Sequence, residues 1–92
     1  MALPLMKIQQ QMSQITNWGI DGECLLKEFE FSNFKEAIEF VNKTAEVAER
    51  INHHPNIMID KKNVRLTLTT HEERGISLKD FELAKAIDEI RK

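Results

Sequence analysis

Residues 34–55, FKEAIEFVNKTAEVAERINHHP, decide much of the fold, because a long helical pattern runs into a proline there. Apolar side chains recur every three or four residues, which predicts an amphipathic helix with one face on a core. We expect Ser32 to cap this helix, which should end at about Ile51, since Pro55 disfavours the α region at the preceding residue. The predicted stripe is Phe34, Ala37, Ile38, Val41, Ala45, Ala48 and Ile51.

The residues on either side predict two β-hairpins. After the helix, residues 57–60 form a short strand, Lys62-Asn63 is the predicted turn, and residues 64–71 alternate between apolar and polar side chains, as a half-buried strand does. Before the helix, residues 18–20 and 23–31 are candidate strands. Asp21-Gly22 between them is a strong two-residue turn signal.

Two further helices complete the prediction. Pro4 suits a helix start, and apolar spacing carries this first helix to about Thr16. Gly75 marks a loop, and Ser77 can cap a last helix. The predicted core face of that helix is Leu78, Phe81, Ala84, Ile87 and Ile90.

The resulting order, α-β-β-α-β-β-α, predicts one α+β domain over residues 1–92. Short connections favour a four-stranded antiparallel sheet with three helices on one face. The opposite face and the sheet edges would then be available to a second subunit.

Composition limits the classes of function. The net charge is −2 and the pI is about 5.9, which argues against nucleic-acid binding. The local basic cluster of Lys61, Lys62 and Arg65 is expected to be a solvated strand edge, with a phosphate or partner contact as the alternative. Cys24 is alone, which excludes an internal disulfide and a zinc site built on cysteines. No apolar run reaches 18 residues, so we expect no membrane association and take the cytoplasm as the default compartment.

Asn52-His53-His54-Pro55 is the strongest candidate for chemistry, because imidazole can exchange a proton near physiological pH. Glu49 and His53 are four residues apart, so they face each other if the helix reaches His53. His54 precedes the proline and is expected to be extended, so its ring should point elsewhere. The two imidazoles would then lie in different environments, as an acid–base pair requires. A polar helix end with no chemical role is the alternative.

The third histidine, His71, is predicted at the end of the last strand, on the face opposite Leu66 and Leu68. Asp80 follows Ser77 by three residues, the spacing of a capping box, so a purely structural role explains it as well. A metal site made of the three histidines is conceivable, but adjacent histidines do not readily point at one ion.

These acid–base residues follow one another in an order that resembles the signature of the pterin-4a-carbinolamine (4a-hydroxytetrahydrobiopterin) dehydratase family. The likeness covers nearly the whole chain from Trp18 onward, including residues 63–71 and Phe29-x-Phe31-x-x-Phe34. The matching signature reads Glu49-x-x-x-His53-His54-Pro55, then His71, then Asp80 after eight intervening residues.

The resemblance implies dehydration of a 4a-hydroxytetrahydropterin to quinonoid dihydropterin, in tetrahydropterin recycling, with neither metal nor organic cofactor. It implies that His53, His54 and His71 are catalytic, without assigning acid and base. It also implies a homodimer or homotetramer. The matching substrate-binding or supporting positions are Glu49, Asn52, Pro55, Lys79 and Asp80.

The chain departs from the family pattern at several places, which leaves the pterin side chain open. Lys61 stands where the signature has an aromatic residue, and Ile57 where many relatives carry Trp. Asn52 and Lys79 replace a frequent Asp and a frequent Arg. Less aromatic surface weakens stacking on a pterin. Two alternatives therefore stay open: a non-catalytic pterin-binding or protein-dimerisation module, and an enzyme acting on another pterin.

Overall fold

The computed structural model describes residues 2–91. Three helices and four strands follow one another in the predicted order, and a short 3₁₀ turn, His71–Glu73, precedes the last helix. Within this part of the chain no helix is both long and apolar enough to cross a membrane. The elements are α1 (Leu5–Met12), β1 (Gly19–Asp21), β2 (Cys24–Glu30), α2 (Phe34–Ile51), β3 (Asn56–Asp60), β4 (Asn63–Leu68) and α3 (Leu78–Ile90).

The strands form one antiparallel sheet in the order β1-β2-β4-β3, which confirms the predicted sheet. The central pair fixes the register, with Leu25 opposite Leu68 and Phe29 opposite Val64. These four side chains are buried, because the helices cover that face. Alternation along the strands therefore gives one core face and one exposed face.

The buried stripe of α2 is rotated relative to the prediction. Phe34 and Ala45 are exposed, whereas Phe40 and Val47 are buried. The stripe is centred on Thr44, and at 100° per residue Phe34 and Ala45 lie roughly 80° and 100° away from it. A count of apolar residues missed this centre because threonine carries a hydroxyl.

The two longer helices, α2 and α3, each begin with a side-chain cap. Asn33, and not the predicted Ser32, caps α2: its Oδ1 accepts the Glu36 backbone N–H at 2.9 Å. Ser77 caps α3 as predicted. Leu78 was predicted in the core but is 58% exposed. It lies roughly 180° from Ile87 around the helix, so it points away from the sheet.

The two hairpin turns lie one residue from their predicted places. Asp21 pairs with Cys24, so the first loop is Gly22-Glu23, with Gly22 at a φ of +63°. Glycine is favoured at the first position of such a loop, where a positive φ is required.

The second loop is Lys61-Lys62, because Asp60 pairs with Asn63. Asn63 also pairs with Glu30 of β2, which keeps it in the strand. At the N-terminus, α1 ends at Met12 and not near Thr16, since the chain turns there into the loop that carries Trp18.

Candidate active site

The end of α2 directs the two adjacent histidines to different places. Asn52 adopts the left-handed conformation, with φ 61° and ψ 42°, and the His53 backbone N–H donates to the Ala48 carbonyl at 3.1 Å. This pattern ends a helix sharply, and asparagine tolerates the left-handed position. The helix therefore stops before His53, and the predicted pairing of Glu49 with His53 is wrong.

His53 contacts Asp80 across the fold. Its Nε2 lies 2.6 Å from Asp80 Oδ1, and the two side chains are 11% and 0% exposed. An ionised carboxylate only accepts hydrogen bonds, so opposite an ionised Asp80 the donor is the Nε2–H of the imidazole. Nδ1 is then the ring nitrogen that is able to exchange a proton with another molecule.

The Asp80 carboxylate is held by further donors at the start of α3. Its Oδ2 accepts the Ser77 backbone N–H and the Thr70 hydroxyl, both at 2.9 Å. A buried charge is tolerated only when such partners compensate for the lost water. Asp80 thus closes the capping box with Ser77 and also binds His53, so the two sequence interpretations describe one carboxylate.

His54 pairs with Glu49 on the surface. Its Nε2 contacts Glu49 Oε2, and the side chains are 57% and 75% exposed. Exposed pairs of this kind contribute little to stability. The contact therefore orients the ring more than it holds the fold.

His71 lies at the start of the 3₁₀ turn and not in a strand, as had been predicted. The strand ends at Leu68, and a single bridge between Thr70 and Gly75 closes the four-residue turn. The cause is local: Arg74 takes the left-handed conformation, and its N–H donates to the His71 carbonyl at 3.1 Å. His71 is exposed and directly follows Thr70, which binds Asp80.

The remaining predicted site residues adjoin the histidines or Asp80 in the sequence. Asn52 is the exposed residue that ends α2, Pro55 is half-buried between the histidines and β3, and Lys79 is exposed in the first turn of α3. Lys61, where the family signature has an aromatic residue, lies in the exposed β3–β4 loop.

Over residues 2–91, no three His, Cys, Asp or Glu side chains lie close enough together to hold a metal ion. A groove of about 910 Å³ between the end of α2 and α3 is lined by residues that include Arg50, Ile51 and Lys85, but by none of the histidines.

Sequence reasoning missed Thr70 as a site residue. Thr70 occupies an inward position of the predicted strand and was counted there as part of the alternation. The capping-box spacing identified Ser77 and Asp80, but a hydroxyl that reaches Asp80 from another element leaves no signal in local spacing.

Comparison with known proteins defines the class. Residues 1–90 match the family model described as pterin 4 alpha carbinolamine dehydratase. A Sulfolobus acidocaldarius protein provisionally named pterin-4-alpha-carbinolamine dehydratase is 40% identical over 85 residues. The matched residues make up 92% of this chain and 93% of that relative. One from Chloroflexus aurantiacus, also provisionally named, is 44% identical over 84 residues, 91% and 90% of the two chains.

Solved structures agree with this assignment. A structure from Brucella melitensis, described as a transcriptional coactivator/pterin dehydratase, superposes with a TM-score of 0.94 at 28% identity over 100% of both chains. A pterin dehydratase-like protein described as a RuBisCO assembly factor in the alpha-carboxysome shares the fold, with a TM-score of 0.66 at 22% identity over 79% of this chain and 84% of that one.

The fold and the matched sequence define a pterin dehydratase-type α+β protein. The chain belongs to the pterin-4a-carbinolamine dehydratase family.

Proposed function

We propose that the protein dehydrates a 4a-hydroxytetrahydropterin to quinonoid dihydropterin by histidine acid–base catalysis. The observation that carries the proposal is the contact between His53 Nε2 and the buried Asp80 carboxylate. A buried carboxylate that fixes one nitrogen of an imidazole leaves the other nitrogen as an oriented acid or base.

The reaction needs a proton to be given and another to be taken. The 4a-hydroxyl gains a proton and leaves as water when its carbon–oxygen bond breaks. A neighbouring ring nitrogen loses its proton, and the electron pair of that N–H bond forms the carbon–nitrogen double bond. One well-placed group for each transfer supplies about 10²–10⁴-fold in rate.

Three histidines are available for these transfers. His53 is half-buried and held by Asp80, while His54 is exposed and contacts Glu49, so the two rings differ in solvent access and in partner. His71 directly follows Thr70, whose hydroxyl donates a hydrogen bond to the same carboxylate. We assign proton transfer to these three histidines and leave acid and base unassigned among them.

Asp80 is a positioning residue in this proposal, because it is fully buried and both of its oxygens have donors inside the protein. Glu49, which contacts His54, and Asn52 and Lys79, which adjoin His53 and Asp80 in the sequence, are exposed. We propose that these polar groups face the pterin, with Pro55 beside them.

The test is a rate comparison against the spontaneous reaction. A 4a-hydroxytetrahydropterin is generated in situ, and its loss is followed by stopped-flow absorbance with and without the purified protein. We expect His53→Ala, His54→Ala and His71→Ala each to lower kcat/KM while the circular dichroism spectrum stays native. Glu46→Ala, an exposed change on α2, is the control and should leave the rate unchanged.

A protein that never exceeds the spontaneous rate would remove the proposal. The alternative hypothesis would then be a non-catalytic binding module, as the description of one similar structure as a RuBisCO assembly factor suggests. If the protein binds a tetrahydropterin in calorimetry without accelerating dehydration, that module is a pterin-binding one.

A further inference from the structure

A line of buried polar groups continues behind Asp80, away from the histidines. Thr70 Oγ1 lies 2.9 Å from Asp80 Oδ2 and 2.7 Å from Ser77 Oγ. Thr70 and Asp80 are 0% exposed and Ser77 is 4% exposed, so water does not compete for these bonds. Helix capping requires only the Ser77 and Asp80 side chains, and it leaves the position of the Thr70 hydroxyl unexplained.

We propose that the hydroxyls of Thr70 and Ser77 form a directional hydrogen-bond relay that fixes the proton on Nε2 of His53. Thr70 is then a positioning residue: it acts through Asp80 and keeps Nδ1 of His53 as the free acceptor. The inference deepens the proposed function and rests on it for its effect on rate.

The direction of the relay follows from the protons available. Ser77 Oγ accepts the Lys79 backbone N–H at 3.2 Å, so its own proton is free to go to Thr70. Thr70 has one hydroxyl proton, which it donates to Asp80 Oδ2, where the Ser77 backbone N–H donates as well. Two donors on one oxygen favour the ionised carboxylate, which only accepts. The bond to His53 therefore needs a donor on the imidazole.

The relay also joins three parts of the chain that have to keep their relative positions. Thr70 follows β4, Ser77 and Asp80 begin α3, and His53 follows α2. The backbone bridge between Thr70 and Gly75 holds the threonine beside the cap. A single hydroxyl thus couples the loop that carries His71 to the carboxylate that orients His53.

The test is the tautomer of His53 in Thr70→Val, which removes the hydroxyl and nearly keeps the shape. The ¹⁵N shifts of the chain's three histidines are recorded at a pH where imidazole is neutral and assigned with His54→Gln and His71→Gln. In the natural protein we expect His53 to be one tautomer, protonated on Nε2. In Thr70→Val the Asp80 Oδ2 oxygen loses one of its two donors, so the carboxylate turns more freely and its contact with Nε2 weakens. We therefore expect the two nitrogens of His53 to move toward averaged shifts.

The rate should follow the spectrum. We expect kcat to fall about tenfold in Thr70→Val with KM nearly unchanged, the scale of one lost hydrogen bond to a charged group. Thr70→Ser, which keeps the hydroxyl, should restore both readouts. Thr69→Val is the matched control, because that hydroxyl donates to the Glu23 carbonyl at 2.7 Å in the first hairpin, and its loss should leave the His53 shifts unchanged.

An unchanged His53 spectrum in Thr70→Val would overturn the relay. If Thr70→Val does not fold, Thr70→Ala removes the same donor to Asp80 and gives the same decision: averaged shifts support the relay, and unchanged shifts overturn it. The spectrum does not depend on turnover. A displaced tautomer in a protein without dehydratase activity removes the proposed function and keeps the relay, whereas an unchanged tautomer in an active enzyme removes the relay alone.

Discussion

Exchanging the Asp80 carboxylate for an amide tests whether this side chain orients His53 or only caps α3. In Asp80→Asn the amide oxygen can still accept the Ser77 N–H and the Thr70 hydroxyl on the Oδ2 side. The amide NH₂ then faces His53, so Nε2 has to become the acceptor and the proton moves to Nδ1. We expect the imidazole to be held in the wrong tautomer.

We expect Asp80→Asn to lower stability only modestly and to lower the rate strongly. Only the bond to His53 changes its sense, and a hydrogen bond to a charged group contributes about 1.5–3 kcal/mol, part of which is offset because a buried charge no longer has to be desolvated. We therefore expect the free energy of unfolding to fall by about 1–2 kcal/mol. The rate should fall by about 10²–10⁴, since a wrong tautomer removes the acid–base group.

The assay pairs stopped-flow dehydration with urea unfolding, and Asp88→Asn is the matched control. Asp88 lies on the same helix and accepts hydrogen bonds from Trp18 Nε1 at 2.9 Å, Lys27 Nζ at 3.0 Å and the Thr16 N–H at 3.0 Å. None of these three donors is a histidine. It should lose comparable stability and keep its rate. Equal stability losses with full activity in both variants would make Asp80 a capping residue alone.

Three further outcomes are expected. Thr44→Val should leave the free energy of unfolding unchanged or raise it by about 1 kcal/mol, because within residues 2–91 the buried Thr44 hydroxyl has no hydrogen-bond partner; a clear loss in urea unfolding would contradict this. Activity should survive EDTA treatment, since proton transfer needs no metal; loss on chelation with recovery on adding zinc would refute it. Light scattering at micromolar concentration should show a dimer or larger assembly, because β3 is an edge strand with Met58 56% exposed, and a monomer would be inconsistent with that expectation.

Local patterns were enough to predict the order of the elements and the site candidates. The spacing of apolar residues located α2, the alternation after Asn63 located β4, and the Ser77–Asp80 spacing predicted a capping box that is present. Each of these features depends on residues only a few positions apart, so the sequence contains it directly. The ordered histidines likewise resembled the family to which the chain belongs.

Partners that lie far apart in sequence were decided only by the tertiary structure. Lys27 interrupts the apolar pattern of β2, yet its Nζ reaches Asp88, 61 residues away, beneath the ring of Trp18. His53 binds Asp80 and not the nearby Glu49, because the left-handed Asn52 turns the chain after α2. Such contacts form because a buried polar group is costly without a hydrogen-bond partner, and local spacing does not indicate which distant residue becomes that partner.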